Sequence, residues 1–377
     1  MESRLTDKSI GISLLGMGNM RLPCHEPAKG EKYGKIDYEK AQEIIDYAYA
    51  NGVTYFDTAY MYHEGESEVF IGKALAKYPR DTFFIADKMP IWMCKEKADV
   101  ERIFLDQLQK TGFEFFDYYL LHSLDGRAFE KCEEYGVYEY LLKMQSEGRI
   151  RKIGVSFHGT VEELKVIVAA RSWDFAQIQL NYLDFEDQSA KQQYEVLRGA
   201  GIPVIIMEPV RGGKLASPGA AAEQLFRAYD SEKSPAAWAL RFAASLPGVM
   251  TVLSGMTSLE QIKDNINTFN NFEPMNAEEY DIVKKAAACI RKTKVVPCTA
   301  CDYCADCPQG VQVSKIFRIY NSYLTGEYTK EQAIAEYKKI KTGISSCVRC
   351  GKCKEHCPQG IDIPGVLHGG AEDLFGK

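Results

Sequence analysis

Short apolar runs alternate with longer amphipathic stretches along the chain from Ser13 to about Phe269. Buried parallel strands are short and almost wholly apolar, whereas surface helices are longer and apolar on one side, so the alternation predicts repeated strand-helix units. The predicted strands cover residues 13–16, 54–57, 83–86, 117–121, 152–155, 175–180, 203–207 and 249–253. The helices between them are predicted to begin near Tyr38, Ser67, Lys97, Tyr135, Val161, Gln188, Ser234 and Ser258.

Eight strands alternating with eight helices predict an α/β fold of the (β/α)8 TIM-barrel type, which needs about 250 residues. A doubly wound open sheet is the alternative, but it usually carries a G-x-G-x-x-G turn after its first strand, and this sequence has none. The 377 residues exceed one such barrel. We therefore predict a barrel over residues 1–275 and a small second domain over residues 276–377.

Two short runs of cysteines distinguish the second domain. Residues at helical spacing, 314–324 and 330–341, lie between the runs, which predicts a small α-helical ferredoxin-like domain in place of a compact βαββαβ ferredoxin. Each run is followed directly by a proline. The cysteines are Cys298, Cys301, Cys304 and Cys307 in the first run, and Cys347, Cys350, Cys353 and Cys357 in the second.

The spacing C-x2-C-x2-C-x3-C-P of the second run is typical of thiolates that hold a [4Fe-4S] cluster, with the fourth cysteine usually bound to the other cluster. The first run is one residue shorter before Cys307, and two [4Fe-4S] clusters are predicted. Structural zinc is the alternative, but its cysteine pairs are normally separated by a longer loop. Disulfides need an oxidising compartment, and the charged start of the sequence has no apolar signal-peptide core, so we expect a cytoplasmic protein.

Composition narrows the classes of partner. The chain has 46 Lys and Arg against 52 Asp and Glu, a net charge of -6, whereas a nucleic-acid-binding protein needs clustered basic residues. No apolar run approaches the ~20 residues of a membrane span. We therefore expect neither nucleic acid nor a membrane span, and we expect a small-molecule substrate or another protein.

Polar residues at the ends of the predicted strands are the first candidates for catalysis, because a barrel of this type carries its active site there. Asp57, Lys88 and His122 lie at the ends of the second, third and fourth strands, and Tyr62 follows Asp57 closely. A tyrosine hydroxyl, with an ordinary pKa of about 10, donates a proton readily only if a cation stabilises its phenolate. Lys88 would supply that cation, Asp57 would keep Lys88 charged, and His122 would orient a carbonyl oxygen. The set predicts reduction of a carbonyl to an alcohol by hydride and proton transfer, or the reverse.

Four motifs, in this order, resemble those of the aldo-keto reductase superfamily. They are Phe56-Asp57-Thr58-Ala59-Tyr60-Met61-Tyr62, Lys88, Asp117-Tyr118-Tyr119-Leu120-Leu121-His122 and Ile153-Gly154-Val155-Ser156. The resemblance covers roughly residues 10–270, and the C-terminal cysteines narrow it to the iron-sulfur-containing branch with a ferredoxin-like two-cluster domain. It implies an oxidoreductase that uses NADP(H) or NAD(H) to interconvert an aldehyde or ketone and an alcohol.

The resemblance also implies that a nicotinamide dinucleotide binds across the barrel mouth. Ser156 and Gln177 would hold its carboxamide, and Met207 stands where many members stack an aromatic ring on the nicotinamide. Gly255 and Gln261 replace cations that some members set against a 2′-phosphate, so NADP(H) and NAD(H) both stay open. The full predicted set is Gly18, Asn19, Met20, Ser156, Gln177, Met207, Arg211, Ser254, Gly255, Ser258, Gln261 and Asn265.

The role of the clusters stays open on sequence alone, because hydride transfer moves two electrons and a cubane cluster takes one. Three roles fit: a redox relay to a ferredoxin or flavodoxin, a structural role beside an ordinary reductase, or redox sensing by a non-catalytic barrel. A relay would call for a flavin, which no motif indicates, or for a direct path from a cluster to the substrate. Arg349, Lys352 and Lys354 beside the second run either neutralise thiolate charge or form a docking surface for an acidic partner.

Overall fold

Eight parallel strands close into a barrel in this computed structural model, which describes residues 1, 3–4, 10–26, 34–186, 189–270, 272–292 and 295–376. Strands β3 to β10 pair in chain order, and β10 then pairs with β3 to close the ring. A short antiparallel pair, β1 and β2, precedes them. The strands are β1 Ser3–Arg4, β2 Ile12–Ser13, β3 Leu15–Gly18, β4 Tyr55–Asp57, β5 Phe84–Met89, β6 Phe116–Leu124, β7 Ile150–Phe157, β8 Phe175–Gln179, β9 Val204–Met207 and β10 Val249–Ser254.

Helices follow the barrel strands and continue through the cysteine-rich region. The predicted barrel with a small helical C-terminal region is confirmed, and the predicted start near Gln188 lies outside the described residues. The helices are α1 Tyr38–Ala50, α2 Glu66–Leu75, α3 Ala98–Thr111, α4 Gly126–Tyr135, α5 Val137–Ser146, α6 Val161–Ala170, α7 Ala190–Gly199, α8 Ala220–Tyr229, α9 Pro235–Ala244, α10 Leu259–Asn270, α11 Ala277–Lys292, α12 Val313–Leu324, α13 Lys330–Tyr337, α14 Lys352–Glu355, α15 Ile363–Val366 and α16 Glu372–Phe375.

Among the helices between Ser13 and Phe269, α4 and α8 were not predicted from the periodicity. Helix α4 begins because the Asp125 carboxylate accepts the backbone N–H of Ala128 at 2.8 Å, which satisfies one of the unpaired donors of its first turn. It ends at Gly136, whose φ of 63° lies in the left-handed region that glycine adopts at little cost. The helix predicted to begin near Tyr135 is α5, which begins at Val137 directly after this glycine.

The chain divides into two compact units. The barrel unit contains Met1–Pro209 and Ala236–Tyr280, and the cysteine unit contains Val210–Pro235 and Asp281–Lys377. The segment after β9 thus belongs to the cysteine unit, where a Cβ on Gly212 would come within 2.3 Å of the Thr299 carbonyl oxygen. The backbone approaches the first cysteine run so closely there that only glycine fits, and Gly212 also has a φ of 66°.

The barrel interior is filled by side chains that alternate along each strand, since successive side chains of a strand point to opposite faces. One interior cluster contains Ile12, Tyr55, Phe84, Ala86, Tyr118, Leu120, Phe175, Ile205 and Leu253, all buried. The next interior position toward the strand ends is polar on four of these strands, where it is Asp57, Lys88, His122 or Gln177. The core therefore changes from apolar to polar at the end where the predicted catalytic residues lie.

The cysteine unit has its own apolar core. It is formed by Val296, Val311, Val313, Ile316, Phe317, Ile344, Ile361, Ile363, Leu367 and Ala371. Six of the eight cysteines pack against it, namely Cys298, Cys304, Cys307, Cys347, Cys353 and Cys357. None of the described helices is both long enough and apolar enough to pass through a membrane. The predicted domain boundary at residue 275 stays a prediction.

Candidate active site and cluster sites

The alternation of strand side chains brings three predicted catalytic residues to one place. Asp57, Lys88 and His122 each lie two positions beyond an interior apolar residue of β4, β5 and β6, so all three point into the barrel. All three are buried. Their position at the carboxyl ends of neighbouring parallel strands is where barrels of this class hold their active sites.

Lys88 and Asp57 form a buried ion pair. The Lys88 Nζ donates to Asp57 Oδ1 at 2.6 Å and to the Thr58 carbonyl oxygen at 2.6 Å, and the Lys88 side chain is 0% exposed. Burial raises the pKa of Asp57, while the charge of Lys88 lowers it. Removing one partner of such a pair leaves an uncompensated buried charge, which typically costs about 3–5 kcal/mol. The pair therefore fixes the position of the Lys88 ammonium inside the barrel.

Tyr62 lies on the turn that follows β4, beside both Lys88 and His122. The Lys88 Nζ is 4.9 Å from the centre of the Tyr62 ring, and the Tyr62 ring meets the His122 ring edge-on at 5.9 Å between centres. The His122 ring also packs against Trp92, with ring centres 5.0 Å apart. Trp92 is 41% exposed, so its ring is partly open to solvent. The structure thus brings the four predicted catalytic residues together.

Two histidines beside Lys88 are neutral at ordinary pH. Burial holds the pKa of His122 well below its usual range, and the nearby charge of Lys88 acts in the same direction. Burial and then Lys88 lower the pKa of His158, which follows β7, to about 4. A neutral imidazole can still donate an N–H hydrogen bond to a carbonyl oxygen. His122 is therefore suited to orient a substrate, whereas an acid must come from elsewhere.

The predicted carboxamide residues lack strong protein partners. Ser156 Oγ and Gln177 Nε2 donate only to the Met207 sulfur among the contacts described, at 3.9 and 3.5 Å, and thioether sulfur is a weak acceptor. The buried Oε1 of Gln177 has no hydrogen-bond partner within the described part of the chain. Buried polar atoms are normally satisfied, so these groups fit a bound amide.

The segment after β10 is arranged around the first turn of α10. Asn265 Nδ2 donates to Ser254 Oγ at 3.0 Å, and Gln261 Oε1 accepts the backbone N–H of Thr257 at 2.7 Å. Ser258 Oγ lies 3.4 Å from the Gln261 backbone nitrogen, in a position to cap the helix. The start of this helix presents backbone N–H groups that suit phosphate.

Arg21 is a residue at this site that sequence reasoning missed. A Cβ on Gly255 would come within 3.3 Å of three Arg21 side-chain carbons, and the Arg21 carbonyl accepts from Thr257 Oγ1 at 2.9 Å. A cation therefore lies beside Gly255, where the sequence offered none. The only sequence signal was one basic residue next to Gly18-Asn19-Met20.

Three of the remaining predicted cofactor residues lie at the end of β3 or directly after it, and the fourth follows β9. Gly18 pairs with Asp57 in the sheet, and Asn19 Nδ2 donates to the Asp57 carbonyl oxygen at 2.8 Å. The buried Asn19 Oδ1 has no partner among the described residues. Met20 follows in the same short turn. Arg211 is buried in the segment that belongs to the cysteine unit, so its part in cofactor binding stays a prediction.

Two cavities in the cysteine unit are lined by four cysteines each. Three come from one run and the fourth from the other, which is the crossed arrangement of two-cluster ferredoxins. Thiols are the ligands that [4Fe-4S] clusters need, and their number and grouping fit two such clusters. One cavity is lined by Cys298, Cys301, Cys304 and Cys357, and the other by Cys347, Cys350, Cys353 and Cys307.

The two runs also repeat one backbone conformation. Ala300 and Arg349, each two residues after the first cysteine of a run, have φ of 53° and 55°. Asp302 and Gly351, each directly after the second cysteine, have φ of 61° and 82°. Left-handed backbone at a non-glycine residue costs roughly 1–3 kcal/mol and persists only where the surroundings impose it. The two cysteine loops therefore share one local backbone conformation.

Family models match both regions of the chain. The aldo/keto reductase family matches residues 14–288, and a 4Fe-4S dicluster domain matches residues 297–361. NADH-specific methylglyoxal reductase from Escherichia coli is 24% identical over 306 residues, which are 69% of this chain and 91% of that protein. L-galactose dehydrogenase from Arabidopsis thaliana is 21% identical over 298 residues, which are 73% of this chain and 90% of that protein.

Solved structures share the barrel. Aldo-keto reductase AKR11C1 from Bacillus halodurans, in its holo form, is 24% identical, with a TM-score of 0.62 over 76% of this chain and 96% of its own. An aldo-keto reductase from Klebsiella pneumoniae in complex with NADPH is 19% identical, with a TM-score of 0.58 over 76% of this chain and 95% of its own. The chain therefore belongs to the aldo/keto reductase family and carries a C-terminal 4Fe-4S dicluster domain.

Proposed function

We propose that this oxidoreductase reduces an aldehyde or ketone to an alcohol with a reduced nicotinamide dinucleotide. The observation that carries the proposal is the position of the Lys88 ammonium, between the Asp57 carboxylate at 2.6 Å and the Tyr62 ring at 4.9 Å. An ammonium in this place favours the phenolate and makes Tyr62 an effective acid. A bound nicotinamide would supply a hydride to the carbonyl carbon.

The protein residues complete the reduction at the carbonyl oxygen. The neutral His122 imidazole donates a hydrogen bond that orients this oxygen, and Tyr62 gives it a proton as negative charge develops there. Lys88 stabilises the phenolate that remains, and Asp57 keeps Lys88 charged in its buried position. Trp92 forms a wall beside His122 and favours an apolar substituent on the substrate.

The dinucleotide would be held by Ser156 and Gln177 at its carboxamide and by the start of α10 at a phosphate. Arg21 beside Gly255 offers a cation for that phosphate. The name of the Escherichia coli relative specifies NADH, whereas the Klebsiella pneumoniae structure contains NADPH. We therefore propose NAD(P)H without a choice between the two forms, and we keep a cytoplasmic location as part of the proposal.

The direct experiment measures consumption of NADH and NADPH by the anaerobically purified holoprotein in the presence of small aldehydes and ketones. We expect one alcohol per dinucleotide oxidised, with a kcat on the order of 10 per second for a good substrate. The same protein without a carbonyl compound is the control for electron leakage into the clusters. Dinucleotide oxidation with no alcohol formed would contradict the proposed reaction.

A second proposal concerns the clusters: they exchange electrons with an acidic one-electron carrier such as a ferredoxin or flavodoxin. Cys350 is exposed, whereas the other seven cysteines of the two runs are partly buried. Val348 beside it is 63% exposed, and Arg349, Lys352 and Lys354 are exposed on the same loop and helix. An exposed apolar residue with exposed cations on the same loop and helix, next to the cavity of Cys350, suits an acidic partner.

Charge reversal tests this second proposal. The double variant Lys352→Glu/Lys354→Glu is expected to lower the second-order rate of cluster reduction by flavodoxin about tenfold at low salt, because steering charges act mainly on association. Lys330→Glu, an exposed lysine at the start of α13, is the matched control. A rate that is equal in all three proteins and independent of salt would contradict the docking surface.

A further inference from the structure

A group of buried polar side chains lies on the outer face of β5, directly behind the catalytic lysine. Asp87 precedes Lys88 in the strand, so its side chain points away from the barrel interior, toward helices α2 and α3. Asp87 and Glu68 of α2 are both fully buried. Their carboxyl groups are within hydrogen-bonding reach of each other. Two buried carboxyl groups in contact are costly if both are ionised.

The group holds the backbone of Lys88 from both sides. The Lys88 backbone N–H donates to Asp87 Oδ1 at 2.8 Å, and Gln107 Nε2 donates to the Lys88 carbonyl oxygen at 3.0 Å. The same Gln107 Nε2 donates to Glu68 Oε1 at 3.0 Å. Tyr119 of β6 donates its hydroxyl to Gln107 Oε1 and fixes the orientation of the amide. Strand β5 is thereby fastened to α2, the helix that directly follows the Tyr62 turn.

The charges around the pair leave Asp87 without a cation of its own. Lys110 Nζ lies 3.3 Å from Glu68 Oε2 and 2.9 Å from Asp106, so this single cation already faces two carboxylates. Lys88, on the same strand, sends its ammonium into the barrel, where it pairs with Asp57. Tyr119 of β6 also faces the pair.

One oxygen of Asp87 also lacks a conventional partner. Asp87 Oδ2 is buried and accepts no hydrogen bond from the described residues, whereas Glu68 Oε2 faces the Lys110 ammonium. A proton carried by Asp87 would satisfy its own oxygen and bond the neighbouring carboxylate. Burial, followed by the charge of Glu68, raises the pKa of Asp87 well above its usual range, and burial raises the pKa of Glu68 less strongly against the opposing charge of Lys110.

We propose that Asp87 is a neutral carboxylic acid that donates a hydrogen bond to the Glu68 carboxylate and is a positioning residue for Lys88. The effect of Asp87 on catalysis rests on the proposed function, but the protonation state of Asp87 does not. The O–H···O⁻ bond joins β5 to α2 and thereby sets the distance between the Lys88 ammonium and the Tyr62 ring. Asp87 itself lies on the opposite face of the strand and touches no reacting atom.

The first test is the stability of Asp87→Asn against pH. An unfolded aspartate ionises near pH 4, whereas Asp87 in the folded protein would keep its proton, so the folded state of the natural protein binds more protons and loses stability as pH rises. The asparagine variant lacks this loss. Its Tm relative to the natural protein should therefore rise steadily from pH 5 to 8. If the Tm of the variant minus the Tm of the natural protein is constant or falls as pH rises, the proposal is overturned. This outcome does not depend on whether the protein reduces carbonyl compounds.

The second test compares Asp87→Asn with Asp87→Leu in carbonyl reduction. Asparagine keeps one donor toward Glu68 and one acceptor toward Lys88, so kcat should stay within about threefold, whereas leucine keeps neither and should lower kcat about tenfold or more with little change in KM. With Lys88 displaced, the fall in kcat at high pH should move to higher pH in the leucine variant only. Equal kcat in the two variants, or unshifted pH profiles, would overturn the positioning role.

Discussion

Tyr62→Phe is expected to lower kcat for carbonyl reduction about a thousandfold, because general acid catalysis typically contributes about 10²–10⁴-fold. The substitution removes one oxygen and leaves the ring that packs edge-on against His122 and beside Lys88. Binding of the dinucleotide should be unaffected. The measurement is steady-state kinetics with the best carbonyl substrate, together with dinucleotide affinity by fluorescence.

The control for this variant lies in the other unit of the same molecule. Iron content and the visible absorbance of the clusters should equal those of the natural protein, since Tyr62 belongs to the barrel unit. Trp92→Phe is a matched aromatic variant that changes the pocket wall and keeps the acid. Turnover by Tyr62→Phe close to the natural rate would show that another group supplies the proton.

Cys357→Ser is expected to damage the cluster of the first run, although Cys357 belongs to the second. The crossed cavities place Cys357 with Cys298, Cys301 and Cys304. The residual EPR spectrum of the reduced Cys357→Ser protein should therefore match that of Cys304→Ser. The chain should lose about four of roughly eight iron atoms, or fewer if a three-iron cluster survives.

The reciprocal pair is an internal control. Cys307 lies in the cavity of Cys347, Cys350 and Cys353, so Cys307→Ser should give the residual spectrum of Cys353→Ser. If Cys357→Ser matched Cys353→Ser instead, each run would bind its own cluster. Zinc in place of iron in the natural protein would contradict both assignments.

The architecture could be predicted because parallel barrel strands are buried on both faces. Strand 54–57 was predicted from four residues of sequence, and the structure has it at Tyr55–Asp57. Helix α4 escaped prediction because only Phe129 and Cys132 on it are buried, which is too few for a clear period. Its limits are set by a capping carboxylate and a glycine, which are short-range effects that an apolar pattern does not record.

The catalytic residues could be predicted because strand ends determine where their side chains meet. Asp57, Lys88 and His122 follow interior apolar residues at the two-residue period, so the sequence itself indicates the face on which they lie. Arg21 beside Gly255 could not be found in this way, because β3 and β10 become neighbours only when the barrel closes. The contact of Asp87 with Glu68 could not be predicted either, because it depends on how α2 packs against β5.

Gly212 determines how this protein can be divided in the laboratory. The segment Val210–Pro235 interrupts the barrel sequence yet belongs to the cysteine unit, and at Gly212 it lies too close to Thr299, between two cluster cysteines, for any side chain to fit. An expression plasmid that stops near residue 276 would therefore delete most of that unit and leave this segment without its partner. Separate production of the cluster module requires a circularly permuted or two-chain design that retains residues 210–235 beside residues 281–377.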